Sequence, residues 1–335
     1  MKKYQNSRKT LKRATFLDAN EAPSTPLSFF SILISVFKIK NLNKYPDIYQ
    51  TELKKEFIKI FNNKFLTVEN LLFSNGSIEM LDQILRAIKC KHVLIQKPSY
   101  SLYKHLAARN EKEASEIIYS NIVHVASKDE KQQLIILTSP NNPTGHMFKK
   151  KDLIKILDNA NNFVVIDQAY IEYTNNPDRI IELIFEYENL VIVRTFSKAW
   201  GAAGLRFGYC FASKETIEII SNYSNPYGLN SFTTELVSKI IKRKDRLNKN
   251  VKQTMKNKDY LVSKLRKLGY KVTDTAANFI LLESKQINKI VKQLHDDNVV
   301  IRKLEQTDTL KNTARITVGS HQSNKRLIKL LTKYG

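Results

Sequence analysis

Phe163-Val164-Val165-Ile166-Asp167 and Leu190-Val191-Ile192-Val193-Arg194-Thr195 are two stretches that run apolar for four residues and then turn polar. Four apolar residues in succession leave no polar face, so each stretch reads as a strand covered on both sides. Upstream, Leu71-Leu72-Phe73, His92-Val93-Leu94-Ile95 and Leu134-Ile135-Ile136-Leu137 repeat the pattern. Helical spacing separates them: Met80, Leu81, Ile84, Leu85 and Ile88 follow the first, and Leu153, Ile156, Leu157 and Ala160 precede Phe163. Alternation of buried strands with amphipathic helices predicts an α/β fold built on a mainly parallel sheet. Ligands of such sheets bind beyond the carboxyl ends of the strands.

The chemically capable residues collect at those ends. Ser74-Asn75-Gly76-Ser77 follows the first strand, Ser139-Pro140-Asn141-Asn142-Pro143-Thr144-Gly145 the third, Asp167 to Tyr170 the fourth, and Thr195-Phe196-Ser197-Lys198 the fifth. Beyond about residue 225 the texture changes. A lysine-rich helical stretch over 231–268 leads to Tyr270-Lys271-Val272 and Asn278-Phe279-Ile280-Leu281-Leu282. A helix over 287–297 then precedes Val299-Val300-Ile301 and Arg315-Ile316-Thr317-Val318, which predicts a small α+β domain. The expected organisation is an N-terminal arm with part of the small domain over 1–40, a large α/β domain over 41–225, and the small domain over 226–335.

Composition narrows the function classes. At 335 residues the chain is long enough for two cores. Its greasiest stretch, Leu27 to Phe37, is broken by serines and reads as a buried helix rather than a membrane span. The basic N-terminus lacks an apolar segment followed by a small-residue cleavage site, so a cytoplasmic protein is expected. Two cysteines, Cys90 and Cys210, are too few for a disulfide framework or a cysteine metal site, and no metal is expected. The net charge of +23 suits anionic substrates, but the lysines are scattered and follow no nucleic-acid-binding pattern.

Individually these residues are ambiguous. A lysine fixed at a strand end can form a Schiff base with an aldehyde cofactor, yet Lys198 could equally be a surface lysine. Asp167 could pair with a protonated pyridine nitrogen or cap the next helix. Asn75-Gly76-Ser77 could bind phosphate through a helix N-terminus or serve as a plain cap. The asparagine-proline segment could be only a turn.

Taken together, Asn142-Pro143-Thr144-Gly145, Asp167-x-Ala169-Tyr170, and Ser197-Lys198 with Arg206 resemble the class I/II aminotransferases in order and spacing. Asn20-Glu21-Ala22-Pro23, Tyr45-Pro46-Asp47, Pro98-Ser99-Tyr100, Ser197 to Arg206 and Arg315 to Gly319 make the chain similar to the histidinol-phosphate aminotransferase family over about residues 17–320. The resemblance implies the fold type I architecture, with a mainly parallel seven-stranded sheet, and pyridoxal 5′-phosphate as cofactor. It implies that Lys198 carries the cofactor and shuttles a proton. Asp167 would pair with the ring nitrogen, Asn142 and Tyr170 would bond the ring hydroxyl oxygen, and Tyr100 would stack on the ring. Gly76, Ser77, Thr195, Ser197 and Arg206 would hold the phosphate, joined by Tyr45 from the partner subunit of a homodimer. Asn20, Arg302 and Arg315 would bind the substrate.

The implied reaction belongs to histidine biosynthesis: histidinol phosphate and 2-oxoglutarate exchange an amino group to give imidazole-acetol phosphate and L-glutamate. Competing readings are a decarboxylase of threonine or serine phosphate, an aminotransferase for another small phosphorylated ketone, and a basic nucleic-acid-binding protein on the same scaffold. The chain departs from the family at Ile78 and Gln168, where acidic residues are usual, and in a short connection from Tyr119 to Leu134.

Overall fold

The uninterrupted apolar runs assemble into one sheet in a computed structural model of the chain, which describes residues 11, 14–25, 27, 28, 31, 32, 34, 35, 43–61, 63–129, 131–305 and 310–334. Strand β1 (Thr15–Leu17) lies in a smaller sheet, described below. The larger sheet contains β2 (Leu71–Ser74), β3 (His92–Lys97), β4 (Glu113–Ile118), β5 (Gln133–Thr138), β6 (Asn162–Asp167), β7 (Leu190–Thr195) and β8 (Gly208–Phe211). Their order is β2-β8-β7-β6-β5-β3-β4. All neighbours from β7 to β4 are parallel, whereas β8 runs antiparallel to both β7 and β2. Two reversals therefore return β2 to the direction of the parallel strands. Its carboxyl end emerges on the same edge as theirs.

Burial explains why the runs lack a polar face. Leu134 to Leu137, Val164 to Ile166 and Leu190 to Val193 are at most 2% exposed. Alternate strand residues, among them Val93, Leu134, Val165 and Val191, join one core with Met80, Leu81 and Ile84 of helix Ser77–Ala87 and Leu106 of helix Leu102–Arg109. Residues of the opposite parity face helices Tyr119–Lys128 and Lys150–Leu157, which bury Ile122, Leu153 and Ile156. The connection after Tyr119 thus consists of one helix before β5.

Two strands lack the expected signature. β4 is an edge strand, Glu-Ala-Ser-Glu-Ile-Ile, with no buried residue. β8 is only Gly-Tyr-Cys-Phe, too short for a period to show. Both cysteines are buried and free. Of the helix expected over Leu27–Phe37, residues 31, 32, 34 and 35 are helical, while 29, 30, 33, 36 and 37 lie outside the described residues.

Packing divides the chain into one unit of residues 24–250 and another of residues up to 23 with those from 251 onward. The expected boundaries at 40 and 225 shift for a physical reason. Helix Ser231–Ile241 buries Leu236, Val237, Ile240 and Ile241 and packs against helix Thr51–Ile58, which places it in the larger unit. Lys239 of that helix donates to the Ser35 hydroxyl at 2.6 Å. The lysine-rich stretch is two helices, Ser231–Ile241 and Lys244–Lys267.

The smaller unit holds β9 (Lys271–Thr273), β10 (Phe279–Glu283), β11 (Val299–Lys303) and β12 (Thr313–Thr317), in the order β1-β11-β12-β10-β9. Only β1 and β11 pair in parallel. Helices Ile287–Asp296 and His321–Tyr334 contribute Ile290, Leu294, Leu327 and Leu331 to its core.

Candidate active site

The turn after β2 closes against the loop after β7 through two glycines. Gly76 has φ +83°, and a β-carbon there would sit 2.5 Å from Nη2 of Arg206. A β-carbon on Gly208 would sit 2.3 Å from the Ser77 nitrogen. A side chain at Gly208 would meet backbone and force the segments apart, whereas one at Gly76 would displace the Arg206 guanidinium. Ser74 Oγ braces the turn by donating to the Gly76 carbonyl at 3.0 Å. Helix Ser77–Ala87 begins there; the Glu79 and Met80 amides donate to the Gly76 carbonyl, while the Ser77 and Ile78 amides precede any intrahelical acceptor.

Three polar side chains converge on that helix end. Thr195 Oγ1 donates to Ser197 Oγ at 3.0 Å, and the Ser197 amide donates to Thr195 Oγ1 at 3.1 Å. Arg206 Nη1 donates to Ser197 Oγ at 3.3 Å and to the Ala203 carbonyl at 3.2 Å. Backbone amides at a positive helix end, two hydroxyls and a guanidinium make a cradle for a phosphate monoester.

Lys198 stands on a loop pinned by aromatic packing. Phe196 stacks on Trp200 at 4.5 Å with the rings 2° from parallel, and Phe57 and Phe207 close around Phe196. Backbone bonds from Phe196 to Phe207 and from Ala202 to Phe196 lock the loop's two ends together. Lys198 Nζ lies 5.7 Å from the centroid of the buried Tyr170 ring.

Asp167 ends β6 and is 5% exposed. Burial raises its carboxyl pKa, while donation from Tyr103, the Ala169 amide and the charge of Lys198 work in the opposite sense. Tyr103 O–H donates to Oδ2 at 2.8 Å, and the Ala169 amide donates to Oδ1 at 2.9 Å. Tyr103 is a residue the sequence reading misses. Its ring meets Tyr100 edge-on at 5.7 Å, and Tyr100 itself is 39% exposed. The only advance signal was its place three residues after Tyr100 in helix Leu102–Arg109.

The asparagine-proline loop follows β5. Asn141 Nδ2 donates to the Pro98 carbonyl and to Thr144 Oγ1, both at 2.8 Å, while its buried Oδ1 has no hydrogen-bond partner among the described residues. Asn142 is buried beside it. Gly76, Ser77, Tyr100, Asn142, Asp167, Tyr170, Thr195, Ser197, Lys198 and Arg206 thus all belong to one unit, at the carboxyl edge of its sheet. An anion cradle, an amine and a buried carboxylate on that edge fit the phosphate, aldehyde and ring nitrogen of pyridoxal 5′-phosphate.

The sequence pattern of the family described as aminotransferase class I and II matches residues 18–331. The chain belongs to this family. It is a pyridoxal-phosphate-dependent aminotransferase. A histidinol-phosphate aminotransferase of Flavobacterium johnsoniae is 33% identical over 94% of this chain and 88% of its own length. In three dimensions the chain is similar to the histidinol-phosphate aminotransferase of Sinorhizobium meliloti, solved with pyridoxal 5′-phosphate. The TM-score is 0.87 at 20% identity, over 97% of this chain and 92% of the other. L-threonine-O-3-phosphate decarboxylase of Porphyromonas gingivalis shares the fold as well. Here the TM-score is 0.83 at 23% identity, over 96% and 98% of the two chains.

Within this aminotransferase the two departures have structural answers. Ile78 packs, partly buried, against the core beneath the turn. Gln168 accepts a bond from Arg194 Nε at 2.9 Å. Arg194 is 2% exposed, and it also donates to Asp178 Oδ1 at 2.8 Å and to the Pro177 carbonyl at 2.6 Å. With a neutral amide at 168, the buried guanidinium draws its counter-charge from Asp178. Both Glu172 carboxylate oxygens are closed to solvent, and burial pushes its pKa up to about 7.

The aminotransferase's remaining expected residues sit elsewhere. Tyr45 is 80% exposed, and its ring stacks on Tyr227 at 4.4 Å. Asn20, Arg302 and Arg315 lie in the smaller unit. Arg302 and Arg315 are paired across β11 and β12, and Arg315 Nη2 donates to the Asp18 carbonyl at 2.5 Å. The Asn20 amide donates to Thr317 Oγ1 at 2.9 Å, and that hydroxyl donates to Asn20 Oδ1 at 3.1 Å.

Proposed function

We propose that this enzyme moves an amino group between histidinol phosphate and 2-oxoglutarate, giving imidazole-acetol phosphate and L-glutamate. The observation that carries the substrate choice is the name borne by relatives such as the Flavobacterium johnsoniae enzyme, matched along nearly the whole chain. We further infer a cytoplasmic homodimer in which Tyr45 of one copy reaches the phosphate held by the other. Its exposed ring supports that role, and no helix among the described residues is long and apolar enough to cross a membrane.

Bound pyridoxal phosphate supplies an aldehyde that condenses with amines and a pyridine ring that accepts electron density from the bond being broken. The chain's own residues do the rest. Ser77, Thr195, Ser197 and Arg206 hold the phosphate, with Gly76 leaving room for it. Asp167 keeps a proton on the ring nitrogen, because a buried anion stabilises the cation opposite it. Asn142 and Tyr170 would bond the ring hydroxyl oxygen, and Tyr100 would cover the ring. Lys198 Nζ would hold the cofactor aldehyde, and as a free amine it would take the proton from the substrate α-carbon. Arg302, Arg315 and Asn20 bind the substrate's anionic groups, for which guanidinium forks are suited.

The test is a coupled assay with histidinol phosphate and 2-oxoglutarate, compared with threonine phosphate and serine phosphate. Formation of L-glutamate from histidinol phosphate supports the reading. Carbon dioxide released from a phosphorylated amino acid, with no need for a keto-acid acceptor, would replace it with a decarboxylase.

A further inference from the structure

Three strand ends place hydroxyls in a line that leads to Asp167. Ser99 follows β3, Thr138 ends β5, and Asp167 ends β6 as the register partner of Thr138. These strands are neighbours in the order β3-β5-β6, so the three residues share one edge of the sheet. Ser99 Oγ and Thr138 Oγ1 are 3.1 Å apart, Thr138 Oγ1 donates to the Tyr103 oxygen at 3.0 Å, and Tyr103 O–H donates to Asp167 Oδ2 at 2.8 Å. Each of the four is at most 7% exposed, so water does not compete for these bonds.

We propose that Tyr103 is a positioning residue for Asp167, the last member of a one-way hydroxyl chain, Ser99 to Thr138 to Tyr103, that keeps the carboxylate ionised and aimed.

The direction follows from donor and acceptor counting. An ionised carboxylate only accepts, so Tyr103 must spend its single proton on Oδ2. The Tyr103 oxygen then accepts from Thr138, and Thr138, its proton committed, accepts from Ser99. Three O–H dipoles point their positive ends at the anion. The Ala169 amide holds the other oxygen at 2.9 Å, so the plane of the carboxylate is fixed as well. Burial and the charge of Asp167 push the Tyr103 phenol well above its ordinary range, so it keeps its proton. The Tyr103 ring also supports Tyr100 edge-on at 5.7 Å. One side chain therefore links the acid to the ring-stacking residue.

The inference rests on the reading of Asp167 as partner of the cofactor nitrogen. In that pair a proton would sit on either the nitrogen or the carboxylate. Removing the Tyr103 donor would raise the proton affinity of the carboxylate and shift the shared proton away from the nitrogen.

The test loads the enzyme with pyridoxal phosphate labelled with 15N in the ring and records the nitrogen resonance at fixed pH. Tyr103→Phe keeps the ring packing and removes only the hydroxyl. Its nitrogen signal is expected to move toward unprotonated pyridine, with kcat falling about tenfold and KM little changed. Thr138→Val, which leaves Tyr103 in place, is expected to move the signal the same way by less. This second variant also reads the chain if Tyr103→Phe fails to fold. A cofactor-loaded Tyr103→Phe enzyme with the wild-type nitrogen signal overturns the proposal. Asp167→Asn separates the two levels: a signal unchanged by that substitution removes Asp167 as the nitrogen's partner, and the proposal falls with it.

Discussion

The guanidinium of Arg206 fills the space that a β-carbon on Gly76 would need, with Nη2 2.5 Å from that position. On the proposed role of turn and arginine in holding the phosphate, Gly76→Ala should open that cradle. The pairing of φ +83° with ψ 158° adds a backbone cost of about 1–3 kcal/mol for any L side chain. The expected outcome is at least a tenfold weaker affinity for pyridoxal phosphate, read by titrating apoenzyme with cofactor. Unchanged affinity would mean that the turn does not hold the phosphate.

Asp167→Asn keeps the shape of the side chain and removes its charge. The variant should still bind cofactor, because the phosphate contacts are intact. Its kcat should fall about a hundredfold or more, the scale of losing a preorganised charge in a buried site. Single-turnover kinetics with L-glutamate check this, and a wild-type rate would contradict the role.

Glu172 gives a pH dependence with a definite sign. Its folded-state pKa of about 7 lies above the ordinary 4.5, so the folded protein holds a proton that the unfolded chain releases between those values. The stability is complete below about pH 4.5 and declines as pH rises toward 7, by something of order 3 kcal/mol. Glu172→Gln cannot release that proton and should lose this slope. Urea midpoints at pH 5 and pH 8 measure the change, and equal slopes in the two proteins would show that Glu172 does not titrate there.

Arg315→Ala should spare the cofactor. Loss of the proposed charged hydrogen bond to substrate should raise KM about ten- to hundredfold, with cofactor affinity within about twofold of wild type. If cofactor loss came first, the division of roles between Arg315 and Arg206 would be wrong.

How much of this was legible follows from which residues carry a local signal. The parallel core was readable because Phe163 to Ile166 and Leu190 to Val193 are apolar on both faces. β4 was hidden because an edge strand such as Glu113–Ile118 buries nothing. The domain boundary was misplaced because Ser231–Ile241 has an amphipathic pattern that does not say which core it joins. The residues proposed to hold the cofactor stood out at strand ends as a set of motifs. Tyr103 did not, because its partner Asp167 is 64 residues away and only the fold brings them together. The same is true of Arg194, whose bond to Gln168 spans 26 residues and absorbs an apparent defect in the motif.

The most direct test of the central claim is the visible absorption spectrum of the purified protein and of Lys198→Ala, before and after L-glutamate is added. A yellow wild-type protein that bleaches with L-glutamate, beside a variant lacking the lysine-bound absorbance, is the result expected of an aminotransferase anchored at Lys198. A variant with the wild-type absorbance, or a wild-type protein indifferent to every amino donor, would contradict it.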